Sequence, residues 1–198
     1  MPQSVPNLSL TQGQLLWALS QGRDPDQLLK DQVRYLRQLG IPKKSTEVAP
    51  GKGNRVIYDL LDLVELGVAV RALTLRFRPK DIAALLVSNR EEFRQIVARA
   101  WLELPDAALT QDWVKSRGRT VPLFEDDFPI RLHDRRSEKW GQLDIVGFND
   151  SVPGLNLFAP IERFDDGDIR PLIPLKQSML PWVAWALEAP AIRTGPKK

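Results

Sequence analysis

Lys30, Arg34 and Arg37 are spaced four and three residues apart, with Tyr35 among them. On an α-helix that spacing places the three cations along one side. A second basic set follows at Lys43, Lys44, Lys52 and Arg55. These side chains suit recognition of a polyanion. A guanidinium presents a planar fork of donors to phosphate or to the edge of guanine, an ammonium neutralises phosphate, and a tyrosine hydroxyl can donate to it. Other chemistry is excluded by composition. The chain has no cysteine and one histidine, His133. Disulfides, thiolate zinc sites, cysteine nucleophiles and multi-histidine metal sites therefore cannot be built.

The acidic residues give no competing site. Asp165, Asp166 and Asp168 surround Gly167, but a calcium loop needs ligands spread over about 12 residues and ending in glutamate. The cluster reads as a turn. Asp126, Asp127, His133 and Asp134 suggest acid–base groups, and Asp106, Glu138 and Lys139 a metal nuclease. Neither set has the required spacing, so no catalytic residue, metal site or cofactor is expected. Charge is uneven along the chain. Residues 1–100 carry 15 Lys and Arg against 10 Asp and Glu, whereas residues 101–198 carry 13 against 15. A basic first half beside a mildly acidic second half suggests a nucleic-acid face on the first.

The elements that must position the basic set can be read from caps and periodicity. Leu10, Leu15, Leu16 and Leu19 predict a helix over about 10–20, with Thr11 or Ser9 as its N-cap and Gly22 beyond its end. Asp24-Pro25-Asp26-Gln27 predicts the start of a second helix, capped by Asp24 and running over about 25–39. Leu28, Leu29, Val33, Leu36 and Leu39 are its apolar positions, and Gly40-Ile41-Pro42 its stop. Residues 43–48 and 55–58 read as two strands joined by a Gly-rich basic tip at 50–54. A phosphate-binding loop is rejected there, because no Lys-Ser or Lys-Thr pair follows the last glycine. Helices are expected over 59–73 and 79–87, although 70–77 also reads as a strand. Ser88-Asn89-Arg90-Glu91 looks like a further capping box, opening a helix that runs to Leu104. Phe93, Ile96, Val97, Ala100, Trp101 and Leu104 form its apolar stripe.

After residue 105 the pattern changes. Ten of the 16 prolines fall at 105 or later, and short apolar runs alternate with turns, the runs lying at 121–124, 128–132, 142–148, 155–161 and 169–175. A small, mostly β region is expected. An apolar helix over about 177–188, carrying Trp182 and Trp185, is expected to pack on its sheet.

Val33-Arg34-Tyr35-Leu36-Arg37-Gln38-Leu39-Gly40-Ile41 resembles the end of the recognition helix in MerR-type transcriptional regulators. Gly53-Asn54-Arg55, followed by Tyr58, resembles the wing of that family. Pro79-Lys80-Asp81-Ile82 resembles the start of its second post-wing helix. The resemblance spans about residues 10–104 and departs from the family at Leu36, at Arg37 and in the spacing between Arg55 and Tyr58. It implies DNA contacts from Arg34, Tyr35 and Arg55. Lys30 and Arg37 join them by their facing on the helix, and Lys43, Lys44 and Lys52 by their place on the hairpin.

The expected fold class is therefore α+β: a winged helix-turn-helix over 9–87, a connecting and dimerisation helix over 88–105, and a β-rich region with a terminal helix over 106–190. The expected function is sequence-specific binding of double-stranded DNA by a homodimeric transcriptional regulator. The C-terminal region would sense a ligand or hold a partner protein. The alternative is a protein-interaction adaptor without DNA binding, whose mark would be a large exposed apolar patch around Trp182 and Trp185. No apolar run is long enough to span a bilayer, and the N-terminus lacks a signal-peptide pattern, so a cytoplasmic location is expected.

Overall fold

Leu60–Thr74 form one helix, and other helices cover it from several sides. The computed structural model describes residues 8–43, 56–102, 129–132, 143–145, 161–163 and 169–189. Their helices are α1 (Gln12–Leu19), α2 (Gln27–Gln38), α3 (Leu60–Thr74), α4 (Pro79–Ser88), α5 (Arg90–Leu102) and α6 (Leu175–Leu187). α3 packs against α1, α2, α4, α5 and α6. Residues 62 to 69 of α3 are buried without interruption. A helix apolar around most of its circumference belongs in an interior. That settles 70–74 in favour of helix, and the chain turns at Leu75 and Arg76.

The caps are local and mostly as the residue types dictate. Thr11 and Gln14 form a reciprocal capping box at α1, and Asp59 and Asp62 form another at α3. At α2 the cap is Asp26 rather than Asp24; its carboxylate accepts from the Leu29 N–H at 2.7 Å. Ser88 belongs to α4, and Asn89 is the junction before α5.

Two expectations about fold class are corrected. The described residues are mostly helical, not the α+β arrangement of a winged domain with a β-rich C-terminal region. Short strands β1 (Pro129–Leu132), β2 (Leu143–Ile145), β3 (Ile161–Arg163) and β4 (Ile169–Pro174) pair antiparallel in the order β2-β1-β4-β3. From these strands, only Ile130 and Ile173 are among the described core side chains. The burial comes instead from α6, which inserts Leu175, Met179, Trp182, Val183 and Ala186 into the helical core. The terminal helix thus packs chiefly on α1 and α3 rather than on a sheet.

There is also no hairpin wing among the described residues, and positions 44–55, which include the expected tip at 50–54, lie outside them. The extended backbone at Tyr58 pairs with Leu10, just before α1. Each residue donates to the other's carbonyl at 2.9 Å.

Two tryptophans seat α6. Trp182 lies against Gly67 of α3, where an added Cβ would come within 2.5 Å of the indole ring. Trp185 lies against Gly22 after α1, where a Cβ would also collide with the ring. Gly22 has φ +73°, so its conformation and the close approach of the ring both favour glycine. Trp17 of α1 completes the contact, edge to face with Trp185 at a centroid distance of 6.3 Å.

A buried ionic cluster joins α3 to α5. Arg90 donates through Nε and Nη2 to Oε1 of Glu65, at 3.0 and 2.7 Å, and through Nη2 to the Gly40 carbonyl at 2.6 Å. Arg94 donates to Asp62 at 2.7 Å and lies 3.8 Å from the second Glu65 oxygen. Glu65 has no solvent exposure. Burial and the neighbouring Asp59 carboxylate push the Asp62 carboxyl from 3.8 up to about 6, while the Asp59 N–H and Arg94 act in the opposite direction.

Two predictions follow from this packing. Gly67→Ala should cost about 2 kcal/mol in urea unfolding, because the Trp182 clash outweighs the roughly 1 kcal/mol of helix propensity gained. An unchanged midpoint would mean that α6 re-seats freely. For Asp62, the raised folded-state pKa means that the folded chain binds this proton more tightly than the unfolded chain. Stability from this group is therefore highest at low pH and falls as pH rises from about 4 to about 6. Asp62→Asn should flatten that part of the stability profile; an identical slope would exclude Asp62 as its source.

Candidate nucleic-acid interface

α2 is amphipathic for a plain reason. Val33 and Leu36 are buried against the core, with Leu29 and Leu39 partly buried beside them. Gln27, Leu28, Asp31, Arg34, Tyr35 and Gln38 are exposed on the other side. Lys30, Arg34 and Arg37 follow one flank, as their spacing requires, while Tyr35 lies about 100° around the helix from Arg34. The helix ends in a Schellman arrangement. Ile41 N–H bonds the Leu36 carbonyl at 3.0 Å, and Gly40 N–H bonds that of Arg37 at 3.1 Å. Gly40, at φ +90°, makes the required left-handed turn.

That turn returns the chain across the end of the helix and creates a hollow. Arg34, Arg37, Gln38, Pro42, Lys43 and Tyr58 line it, around a volume of about 320 Å³. Three of the sequence-derived candidates, Arg34, Arg37 and Lys43, therefore converge. Lys30 lies on the same flank without lining the hollow, and Tyr35 is exposed on another part of α2. Lys44, Lys52 and Arg55 lie outside the described residues.

Each converging cation is held differently. Arg34 is exposed and pairs with Asp31 across one helical turn at 3.2 Å. Arg37 is positioned more firmly: its Nη1 donates to Gln12 of α1 at 3.0 Å, and its guanidinium lies 5.6 Å from the centre of the Tyr58 ring. Lys43 is exposed.

Tyr58, Gln38 and Gln12 were not identified from sequence. The sequence puts Tyr58 in a strand and in the wing resemblance, and nothing in its neighbours indicates that pairing with Leu10 places it beside Arg37. Its hydroxyl is buried and has no hydrogen-bond partner among the described residues. Burial raises its pKa above the ordinary tyrosine value, with Asp62 adding to this and Arg37 opposing it. At neutral pH it is a protonated donor. No acidic side chain is among the described lining residues.

No family model, curated protein or solved structure matches the chain.

Among the described residues, no group of three or more histidine or acidic side chains could hold a metal ion. The carboxylates at 126–127, 134 and 165–168, together with His133, Asp106, Glu138 and Lys139, lie outside the described residues. No described helix is long and apolar enough to cross a membrane. The α5 stripe of Phe93, Ile96, Val97, Ala100 and Trp101 is buried within this chain, against α3, α4 and α6. It is therefore not available to pair two copies in the way its periodicity suggested.

Tyr58→Phe isolates the hydroxyl. Removing a buried donor with no partner should leave stability unchanged or raise it by up to about 1 kcal/mol in chemical denaturation. A loss of about 2 kcal/mol would reveal a partner for that hydroxyl in solution.

Proposed function

We propose that this protein binds double-stranded DNA through the exposed side of α2 and acts as a sequence-specific transcriptional regulator. The observation that carries this reading is the convergence of Arg34, Arg37 and Lys43 around the hollow that Tyr58 also lines. Phosphate contacts fix the register of a protein on a duplex, and arginines on an exposed helix are suited to reading base edges. Lys30 extends the basic flank along α2. Lys44, Lys52 and Arg55 add three cations to the chain that follows.

The adaptor alternative is weakened by a particular packing fact. Its expected apolar patch is occupied: Trp182 is 7% exposed and rests on Gly67, while Trp185 rests on Gly22. The reading keeps two copies of the chain on two half-sites. Their pairing falls to surfaces other than the α5 stripe.

The test is fluorescence anisotropy with labelled genomic duplexes over a range of salt, from about 50 to about 200 mM. Wild type should bind a subset of fragments tightly, with affinity falling steeply as salt rises. The Arg34→Ala/Arg37→Gln double variant should weaken binding and lower the slope of log affinity against log salt by about 2, one unit for each lost phosphate contact. A slope equal to that of wild type, or equally weak binding to every fragment, would overturn the proposal.

A further inference from the structure

Away from the basic flank, an open groove of about 400 Å³ runs between α3 and α6. Trp182, Pro181 and Gly67 are its buried lining residues, and Val70 adds a half-buried apolar wall. Arg71 and Thr74 are exposed at the end of α3, and Ser178 of α6 is half-buried. Arg71 is the only charged residue among the described lining residues. It makes no ion pair among the described residues. The Thr74 hydroxyl donates to the Arg71 carbonyl at 2.6 Å.

We propose that this groove binds a small apolar carboxylate. The volume falls in the range of small-molecule sites, about 300–1,000 Å³, and is too small for a folded partner. A single guanidinium with no acid beside it matches one negative charge rather than a polyanion. Its planar fork fits the two oxygens of a carboxylate. Half-buried Leu19, Val70 and Pro174, over a floor of Trp182 and Pro181, give the groove apolar walls for the body of such an acid. The Ser178 hydroxyl can donate to the acid or to a ring substituent. This site is separate from the α2 hollow, so its occupancy can be measured without nucleic acid.

The experiment is isothermal titration calorimetry on the full chain with benzoate, 2-naphthoate and indole-3-carboxylate, each beside its neutral carboxamide. At least one acid should bind, and its amide should bind roughly tenfold more weakly or worse, because the charge-assisted pair is lost. Arg71→Gln, at an exposed position, should weaken the acid to the level of the amide while leaving the unfolding midpoint unchanged. Thr74→Trp, also at an exposed position, should block the groove and abolish binding of both forms. Absence of binding by all three acids at millimolar concentration would overturn the proposal. So would equal affinity for acid and amide, or an acid affinity unchanged by Arg71→Gln.

Discussion

A carboxylate with no access to water, Glu65, constrains the positions of three helices at once. An ion that is buried without compensation is unfavourable by several kcal/mol, so its partner must be delivered accurately. That partner is Arg90, the first residue of α5, which bonds Glu65 and the Gly40 carbonyl with one guanidinium. Gly40 closes α2. The helix proposed to face DNA therefore has its C-terminal end tied to α5 through the same group that neutralises the core of α3. Arg94 repeats the arrangement one turn further along α5 with Asp62. The position of α2 is set from inside the molecule, and its outer face takes no part in that anchoring.

This division explains what was legible. Caps and stops use residues within a few positions of one another, so α1, the end of α2 and the start of α4 follow directly from Thr11, Gly40 and Pro79. The start of α2 was placed two residues early because Asp24 and Asp26 both flank Pro25, and only the observed bond to Leu29 separates them. α3 was ambiguous because periodicity depends on a solvent face, and this helix is buried around most of its surface. The ionic cluster could not be read, since its partners lie 25 to 50 residues apart. The basic flank of α2 was legible from spacing alone. Its hollow was not, because it requires Tyr58 to arrive from a backbone pairing with Leu10. The wing was inferred from turn chemistry, which specifies where a chain bends but not which backbone it pairs with.

The energetics of the basic flank favour its use in binding. Arg34 and Asp31 form an exposed pair, with side chains 68% and 51% accessible. Such pairs contribute about 0–1 kcal/mol. Opening this one to engage a phosphate is a small penalty beside a charge-assisted bond. Arg37 is the opposite case: Gln12 and Tyr58 hold it in place, so little side-chain entropy remains to be lost on contact. One arginine can adapt and the other is preorganised.

The seating of α6 also bears on how the chain is made. Residues 17 and 185 touch, although almost the whole sequence lies between them. On the ribosome, α1 to α5 emerge long before the tryptophans that cover Gly22 and Gly67. The nascent chain therefore carries an unfilled apolar seam until α6 emerges. Contacts of such high sequence separation form late and slow folding. Closure of the core thus waits for α6, and chaperones would be needed most during the interval before α6 docks.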